Sequence, residues 1–522
     1  MGGVRLKKSK KNPVKEEVEE IPEILTLDFL KRHLLGACDI LRGKLDANEF
    51  RIPIISIMFL RRLNDVFVEN AEKLIAEGKT KDQAYEESFR HNFFVPKEAR
   101  WECLAIKQQG TRERINKICR IIEDHNPPLD GVLTSSILDD PKKYPDNKMW
   151  QLVTHFNFPP LGNKNLEKED LFGQAYEHLL KEFADSSGKK AGEFFTPRTL
   201  VKLLVNLVKP QEGMKICDPT VGSGGMLIIA RRYVEKHGGD SNNLILEGQE
   251  NNFGNLAMAK MNLILHGVVD FDLQYGDSLS EPKLVDEGKL RNYDMILANY
   301  PFSQNWNEDG NAESDPHNRF DYGVAPAKKR ADFAFIEHML STLNNNGRAA
   351  IISSQGVLFR GGSEGSIRKN MILGIPKSNL LGDVIEAVIA LPKDLFYATG
   401  IPGCIMILNK NKPKTRKNKI ILIHAVNDFV ETKDGRIMTD EHLNKIVSTY
   451  ENFETIKKYA TVVTLDDMKD NNYNLWFGRY IDFIPIDEKI NVEKVMEELT
   501  KLENTRSKII NQFHQNFKNE IK

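Results

Sequence analysis

Apolar residues recur at three- and four-residue intervals over residues 25–169, with charged residues between them, a pattern typical of amphipathic helices around one core. Thr26 or Asp28 can cap the first helix, and Gly78 can end the last helix of the opening stretch. The preceding residues, 1–24, carry a basic block followed by an acidic block. The pattern therefore predicts a flexible charged tail followed by a helical N-terminal domain.

From residue 170 onward, short apolar stretches alternate with stretches of helical spacing. The stretches typical of strands are "GMKICDP", "NLILEGQE", "YDMILANYPF" and "RAAIISSQGVLF". The helical ones are "MLIIARRYVEKHG", "NLAMAKMNLILHG" and "ADFAFIEHMLSTLNNNG". This alternation predicts an α/β domain over residues 170–484, with a mostly parallel sheet covered by helices on both faces.

One long amphipathic segment occupies residues 485–522. Its apolar positions follow alternating three- and four-residue steps, and Arg506 stands where the repeat expects an apolar residue. The apolar positions are Val492, Val495, Leu499, Leu502, Ile509 and Phe513. Because an isolated helix would leave this stripe in water, the segment is predicted to be a C-terminal helix that binds a partner. Packing against its own domain is the alternative.

Composition narrows the classes of function. The 522 residues suffice for two or three domains, and 73 Lys and Arg against 74 Asp and Glu give a formal net charge of −1. A protein that binds nucleic acid alone usually carries a basic excess, so either DNA is not the substrate or another chain supplies much of the grip. Five scattered cysteines without a CxxC pair argue against a zinc site and fit a reducing cytoplasm. The N-terminus lacks the apolar core of a secretory signal, and no apolar run approaches a membrane span.

A glycine-rich loop, "DPTVGSGGML", follows the first predicted strand of the sheet. Small residues let the backbone approach a ligand, and the helix that begins there offers unpaired amides. Glu250 ends the next strand, where a carboxylate can accept hydrogen bonds from ribose hydroxyls, and Asp218 could face an ammonium group. A phosphate-binding loop would carry a lysine, and this one does not. The loop therefore fits a positively charged nucleoside such as S-adenosylmethionine, with a tight strand-to-helix turn as the structural alternative.

Upstream of this loop, the segment "GEFFTPR" leads into a helix. The hydroxyl of Thr196 can cap that helix, with an aromatic residue as a hydrophobic staple. The other interpretation is that the segment closes over the methionine end of a cofactor. Taken alone, the residues favour the structural interpretation.

A second polar motif, Asn299-Tyr300-Pro301-Phe302, ends a later strand, the position at which open α/β sheets bind ligands. The side-chain oxygen of Asn299 and the carbonyl of Tyr300 can both accept hydrogen bonds from one exocyclic NH2 group. Such acceptors stabilise the positive charge that develops on the nitrogen during methyl transfer. Phe302 can stack on the ring that carries the amine. A proline-containing turn is the structural alternative.

Three motifs, namely the loop "DPTVGSGGML", the acid in "GQENN" and "NYPF", resemble in this order those of methyltransferases that act on the amino group of adenine in DNA. The resemblance over residues 25–410 extends to the modification (methylation) subunit of type I restriction-modification systems. The further stretches that carry it are "NFFVPKEARW", "GEFFTPR", "MNLILHG", "RADFAFIEHML", "GRAAIISSQGVLFRGGSEGSIR" and "LPKDLFYATGIPGCIMILNK". It implies a Rossmann-like methyltransferase that methylates adenine with S-adenosylmethionine, at a DNA sequence chosen by a separate specificity subunit, and so protects host DNA from restriction.

The resemblance also implies roles for individual residues. Asn299, Tyr300, Pro301 and Phe302 are expected to hold the target adenine, which must leave the duplex to reach them. The expected cofactor-binding residues are Glu193, Phe194, Phe195, Thr196, Pro197, Arg198, Asp218, Gly222, Ser223, Gly224, Gly225, Glu250 and Asp277.

Two further expectations concern Asp277 and the long loop that follows the Asn299 motif. Asp277 is expected to contact the adenine of the cofactor, with a turn aspartate as the alternative. The polar loop over residues 303–330 carries aromatic and basic residues, which suit contact with a flipped base and its flanking phosphates.

Tyr300 departs from the family, which usually has proline at this position. The role of the position is carried by a backbone carbonyl, which tyrosine also has, and Pro301 still biases Tyr300 toward extended geometry. The site is therefore expected to be intact, and Tyr300→Pro is expected to be tolerated.

The partners implied by the resemblance are double-stranded DNA, a specificity subunit, a second methylation subunit and a restriction subunit, with no membrane. Two other functions stay open on the residues alone. A protein-glutamine methyltransferase shares the Asn-Pro-Pro-aromatic chemistry, but that class lacks this N-terminal region and the long loop after the motif. A non-catalytic binding subunit would not need the complete set of polar site residues. Cytosine is a minor alternative for the target amine.

Overall fold

The protein is described by a computed structural model that covers most of the chain. It describes residues 24–41, 47–134, 138–167, 171–186, 196–307, 310, 312–326, 328, 330–378, 380–396, 402–432 and 435–482. In the C-terminal segment it describes residues 496, 499–503, 505–506 and 509–510. The predicted tail lies almost entirely outside these ranges.

The N-terminal region is helical, as predicted. Its helices are α1 (Leu27–Leu41), α2 (Ala47–Ala76), α3 (Lys81–Glu86), α4 (Trp101–Leu104), α5 (Thr111–Asp124), α6 (Asp146–Phe156) and α7 (Leu171–Ser186). The Thr26 hydroxyl accepts a hydrogen bond from the amide of Phe29 at 3.3 Å, and Gly78 takes a φ of +92° just after α2, so both predicted helix signals are confirmed.

The second region is built on strands that alternate with helices. The strands are β1 (Lys215–Asp218), β2 (Ile245–Glu250), β3 (Asp272–Tyr275), β4 (Val285–Asp286), β5 (Lys289–Leu290), β6 (Tyr293–Asn299), β7 (Leu343–Ser354), β8 (Ile385–Ala390), β9 (Gly403–Asn409), β10 (Lys419–His424), β11 (Val430–Thr432), β12 (Gly435–Ile437) and β13 (Ala460–Thr464). The helices are α8 (Arg198–Val208), α9 (Gly225–Lys236), α10 (Phe253–Leu265), α11 (Asp332–Ser341), α12 (Ser363–Leu373), α13 (Asp440–Asn452) and α14 (Leu465–Asp470).

Nine of the described strands form one sheet in the order β13-β10-β8-β9-β7-β6-β1-β2-β3. The pairs among β7, β6, β1, β2 and β3 are all parallel, and β8 pairs with β10 in parallel. Strands β9 and β13 pair with their neighbours in antiparallel orientation. The predicted α/β fold with a mostly parallel sheet is therefore confirmed.

One predicted boundary is wrong. The spacing of "ADFAFIEHMLSTLNNNG" predicts a helix as far as Gly347, whereas α11 ends at Ser341 and β7 begins at Leu343. The hydroxyl of Thr342 donates to the carbonyl of His338 at 3.0 Å, which satisfies an acceptor of the last turn. Asparagines have low helix propensity, so the chain leaves the helix before their run.

Side chains of β6 alternate between two cores on opposite faces of the sheet. Met295 and Leu297 pack with α8 and α9, whereas Ile296 and Ala298 pack with α11 and α12. A third core holds the N-terminal helices, and some of the apolar side chains of α10, among them Met261 and Leu265, complete it. The N-terminal region is therefore packed directly against a helix of the sheet region.

The order of the strands creates a crevice at the carboxyl ends of β1 and β6. From β1 the chain builds β2 and β3 outward on one side and returns to place β6 on the other side. Ligands of open α/β sheets bind at such a switch point. Asp218 ends β1 and Asn299 ends β6, so two predicted site residues meet there. Among the described helices, none is long and apolar enough to cross a membrane.

Candidate active site

The glycine loop connects β1 to α9 at this switch point. Gly222 and Gly224 have φ angles of +55° and +78°, in the left-handed region that glycine adopts without strain. A side chain at Gly224 would also meet the carbonyl of Ala259 in α10 at 3.4 Å. The loop is anchored from outside, because Asn262 of α10 donates to the carbonyl of Ser223 at 2.8 Å. Its small residues thus allow close packing against α10 as well as the turn itself.

Asp218 is 1% exposed at the tip of β1. Its carboxylate accepts a hydrogen bond from the amide of Thr220 at 2.9 Å. Burial raises the pKa of Asp218 to about 7, and the nearby charge of Glu250 also raises it. A cationic ligand beside this carboxylate would offset the cost of its burial, so the position suits a positively charged group.

Glu250 ends β2 and fixes the loop to the neighbouring strand. One carboxylate oxygen accepts from the amide of Gly222 at 2.9 Å, and the other accepts from the amide of Asn252 at 2.9 Å. Burial raises the pKa of Glu250, whereas these hydrogen bonds lower it. A carboxylate has about four acceptor positions, so Glu250 can still accept from ribose hydroxyls while it holds the loop.

Asp277 follows β3 and caps a turn. Its carboxylate accepts from the amides of Leu279 at 2.8 Å and Ser280 at 3.0 Å, which is the turn geometry of the alternative interpretation. The buried Arg319 braces the same turn by donating to the carbonyl of Leu279 at 2.7 Å. Asp277 also lines the cleft beside Glu250, so contact with the adenine of a cofactor stays a prediction.

Asn299 is tied to a residue far away in the sequence. Its amide nitrogen donates to the hydroxyl oxygen of Thr196 at 2.9 Å. The prediction that Thr196 caps α8 is wrong: the helix begins at Arg198 with Pro197 as its N-cap residue and has no side-chain cap. Thr196 lies one residue too early to cap the helix, and its hydroxyl instead reaches the end of β6.

Tyr300 is 1% exposed, and its ring continues the inward series of Ile296 and Ala298 on β6. The ring stacks on Phe335 with centroids 5.1 Å apart, and the hydroxyl hydrogen-bonds to the hydroxyl of Ser353. The expectation that Tyr300→Pro keeps activity stays a prediction, but the substitution would remove a buried side chain. Loss of such an aromatic side chain costs about 3–5 kcal/mol of stability.

Tyr300→Phe is expected to retain methylation and to lower the free energy of unfolding by about 1–2 kcal/mol, because Ser353 loses a buried hydrogen-bond partner while the ring stays. Urea denaturation and a methylation assay would check both parts. Tyr300→Pro is expected to lose several times more stability than Tyr300→Phe. Equal midpoints for the two variants would contradict this account.

Two adjoining clefts at the switch point share Thr220, Gly222 and Asn299. The predicted site residues that line them are Thr196, Asp218, Gly222, Ser223, Gly225, Glu250, Asp277, Asn299 and Pro301. Those that lie outside the lining are Pro197, Arg198, Gly224, Tyr300 and Phe302. Glu193, Phe194 and Phe195 fall outside the described residues.

Phe302 and Arg198 differ in how they relate to the clefts. Phe302 is half-buried next to them, with its ring centroid 6.2 Å from that of Phe396. The guanidinium of Arg198 is bound 2.7 Å from the carboxylate of Glu177 in α7, so it is committed to an ion pair away from the loop.

The loop over residues 303–330 is less exposed than its composition indicates. Trp306, Phe320 and Tyr322 are all buried, and the indole of Trp306 packs against Phe320 with centroids 4.9 Å apart. The predicted contact of this loop with a flipped base and its flanking phosphates stays a prediction, but these three rings are mostly occupied by packing within the protein. All three belong to the core that α11 and α12 form on one face of the sheet.

The cleft also contains residues that the sequence motifs did not indicate. Thr220, Gln249, Asn251, Gly276, Ser278, Gln304 and Phe335 all contribute to its lining. Several of them are adjacent in sequence to a predicted site residue. Their position next to a motif at a strand end could therefore have indicated that they line the cleft. Phe335 gave no local signal, because only the packing of α11 on the sheet brings it there.

A buried charge network supports the chain just after Asn299. Asp332, fully buried at the start of α11, accepts from the amide of Ser303 at 3.1 Å and from the guanidinium of Arg360 at 2.9 Å. Arg360 also reaches Glu364 at 3.2 Å. The contact between Arg360 and Asp332 joins two separate stretches, so it could not be inferred from spacing, whereas Arg360 and Glu364 are only four positions apart.

Together, the switch-point cleft, the glycine loop and the polar end of β6 define a Rossmann-like methyltransferase of the class that modifies amino groups. The N-6 DNA Methylase family matches residues 167–489, and the HsdM N-terminal domain family matches residues 30–156. The chain belongs to the N-6 DNA methylase family and, within it, to the methylase subunits of type I restriction enzymes.

Individual relatives support this assignment. The Type I restriction enzyme MjaVII methylase subunit of Methanocaldococcus jannaschii is 31% identical over 93% of this chain and 83% of its own length. The HindI methylase subunit of Haemophilus influenzae is 31% identical over 77% of this chain and 95% of its own length. The crystal structure of a type I restriction-modification methyltransferase subunit from Streptococcus thermophilus has a TM-score of 0.75 at 28% identity, covering 88% of this chain and all of that chain.

Proposed function

We propose that the cleft between β1 and β6 is where this methylase subunit transfers a methyl group from S-adenosylmethionine to the exocyclic amine of a flipped adenine. The observation that carries the proposal is that Asp218, Glu250 and Asn299 end three neighbouring strands and line two adjoining clefts, which share Asn299. No single motif would place an acidic pair and an amide at the same switch point.

The acidic side of the cleft fits the cofactor. Bound S-adenosylmethionine would supply an electrophilic methyl group on a positively charged sulfonium. Asp218 would pair with its ammonium group, and the buried state and raised pKa of that carboxyl are what a cationic ligand would relieve. Glu250 would accept hydrogen bonds from the ribose, while Gly222 and Ser223 let the backbone approach.

The other side of the cleft fits the target amine. The oxygen of the Asn299 side chain and the carbonyl of Tyr300 would accept the two N–H bonds of the adenine amino group. These acceptors stabilise the positive charge that forms on nitrogen as it is methylated, and the proton is then released. Phe302, half-buried at the rim, would stack on the base.

The proposal extends to the complex in which the chain works. The chain acts on double-stranded DNA together with a specificity subunit, which chooses the sequence. A second methylation subunit and a restriction subunit complete the complex, and methylation protects host DNA from restriction. The net charge of −1 supports DNA binding that is shared with the other subunits.

The proposal includes the domain limits 1–24, 25–169, 170–484 and 485–522. All five cysteines are free, which supports a reducing cytoplasm.

Long-read detection of modified bases in cells with and without the gene tests the proposal. Adenine methylation at a defined sequence that disappears with the gene is the expected result. An assay with purified complex on plasmid DNA and on protein substrates separates it from a glutamine methyltransferase. Methylation of protein, of cytosine, or of nothing would overturn the proposed reaction.

Glu250→Ala is expected to weaken binding of S-adenosylmethionine by about 10- to 150-fold, since a hydrogen bond to a charged group contributes roughly 1.5–3 kcal/mol. The variant also loses the bond to Gly222, which adds to the effect through the loop. Isothermal calorimetry measures it. Glu281→Ala, which removes an exposed carboxylate outside the cleft, is the control and should bind normally. Unchanged affinity in the Glu250 variant would place the cofactor elsewhere.

A further inference from the structure

The contact between Asn299 and Thr196 gives the catalytic amide a defined orientation. An asparagine amide has a donor end and an acceptor end of similar size. The target amine is a donor, so the oxygen of Asn299 must face it, and the nitrogen needs an acceptor on the other side. The hydroxyl oxygen of Thr196, 2.9 Å from that nitrogen, accepts this bond. When the side-chain oxygen of Asn299 faces the base, the bond to the target amine and the bond to Thr196 can form at the same time.

The segment that carries Thr196 is connected to the N-terminal helical region through Arg198. Two residues later, the guanidinium of Arg198 lies 2.7 Å from one carboxylate oxygen of Glu177 in α7. The other oxygen of Glu177 lies 3.2 Å from the ring nitrogen Nε2 of His266, which is buried just after α10. Glu177 is itself largely buried, so it is a fixed point that joins α7 to the start of α8 and the end of α10.

We propose that Thr196 is a positioning residue for Asn299, and that Glu177 acts through Arg198 to hold the segment that carries Thr196. The inference rests on the proposed catalytic role of Asn299. It assigns Thr196 a role different from the cofactor contact that the sequence suggests. It also makes the packing of the N-terminal helices on α10 a condition for the geometry of the catalytic amide.

Three variants of the full chain, assembled with its complex, test the proposal. In Thr196→Val the side chain keeps its shape and loses the acceptor, so kcat for adenine methylation should fall about 10- to 100-fold, the scale expected for a misplaced catalytic group. The dissociation constant for S-adenosylmethionine should stay within about twofold of the wild-type value, which corresponds to a change in binding free energy of about 0.4 kcal/mol. Thr196→Ser keeps the hydroxyl and should restore most of kcat. Thr199→Val, three positions further on in α8, is the control, because it makes the same substitution at a neighbouring threonine that is also partly exposed.

The outcomes separate the possible roles of Thr196. A rise in the dissociation constant with kcat unchanged at saturating cofactor would make it a cofactor contact and overturn the proposal. A loss of both cofactor affinity and kcat in Thr196→Val would also overturn the proposal, and so would wild-type behaviour of that variant. If Asn299→Ala kept normal activity, the proposed function of Asn299 would fail first, and that result is distinct from a failure of Thr196 alone.

Glu177→Gln tests the second half of the proposal. It keeps the size of the side chain and removes the charge that holds Arg198. The same signature is expected on a smaller scale, a kcat reduced about three- to tenfold with cofactor affinity unchanged, since one charged pair is weakened rather than lost. A wild-type kcat in this variant would overturn the role of Glu177. Melting temperatures of all variants show whether lost activity reflects unfolding.

Discussion

Asn299→Ala is expected to abolish methylation of adenine in DNA while leaving the affinity for S-adenosylmethionine unchanged. The variant removes the acceptor that faces the reacting amine, and loss of one such preorganised group typically costs about 10²–10³ in kcat. Its side chain lies at the end of β6, whereas the acidic residues proposed to hold the cofactor end β1 and β2. Transfer of labelled methyl groups to DNA measures the first effect, and calorimetry measures the second.

A second asparagine serves as the control for this experiment. Asn346 is exposed near the amino end of β7, away from the carboxyl ends of the strands that form the cleft. Asn346→Ala should methylate DNA normally. Normal methylation by Asn299→Ala would refute the proposed mechanism. A large fall in cofactor affinity would instead show that Asn299 supports the cofactor side of the cleft.

The main features of the site were predictable because parallel strands place their carboxyl ends at one edge of the sheet. Asp218, Glu250 and Asn299 each follow an apolar run, so once the runs are assigned as strands, the three residues must come close together. The burial of Tyr300 was also encoded. It continues the alternation of Ile296 and Ala298, whereas the catalytic role expected at this position involves only the backbone carbonyl.

Contacts between distant segments were not predictable in this way. Thr196 and Asn299 are 103 positions apart, and the sequence offers only a common hydroxyl near a helix start. The loop over residues 303–330 is polar on average, which indicates exposure, yet Trp306 and Phe320 are buried by contacts that depend on how the loop folds back. Composition averages over residues, whereas burial is decided by tertiary packing of individual side chains.

The described residues of the C-terminal segment include exposed apolar side chains. Its described residues are helical, and Leu499, Leu502 and Ile509 are 49%, 67% and 61% exposed. Arg506, the polar interruption of the stripe, is exposed as well. These side chains do not pack against the sheet region, so the alternative of packing on the chain's own domain is not met by the residues described. Val492, Val495 and Phe513 lie outside the described residues.

Truncation after Pro485 is therefore expected to leave cofactor binding intact and to abolish both co-purification with the specificity subunit and sequence-specific methylation. The double variant Leu499→Glu/Leu502→Glu should weaken assembly by at least about a hundredfold, because burial of each leucine contributes roughly 1.5–3 kcal/mol. Lys501→Glu, on the same turn of the helix, is the matched control for added negative charge and should assemble normally.

Size-exclusion chromatography with the specificity subunit and modification mapping measure the two effects. If the truncated chain still assembles and methylates its sequence, the partner is held by another surface. If Lys501→Glu disrupts assembly as strongly as the double variant, charge rather than the apolar stripe governs the contact. Only a loss confined to the apolar variants, with calorimetry showing unchanged cofactor binding, assigns the C-terminal helix to assembly rather than to the fold of the methyltransferase.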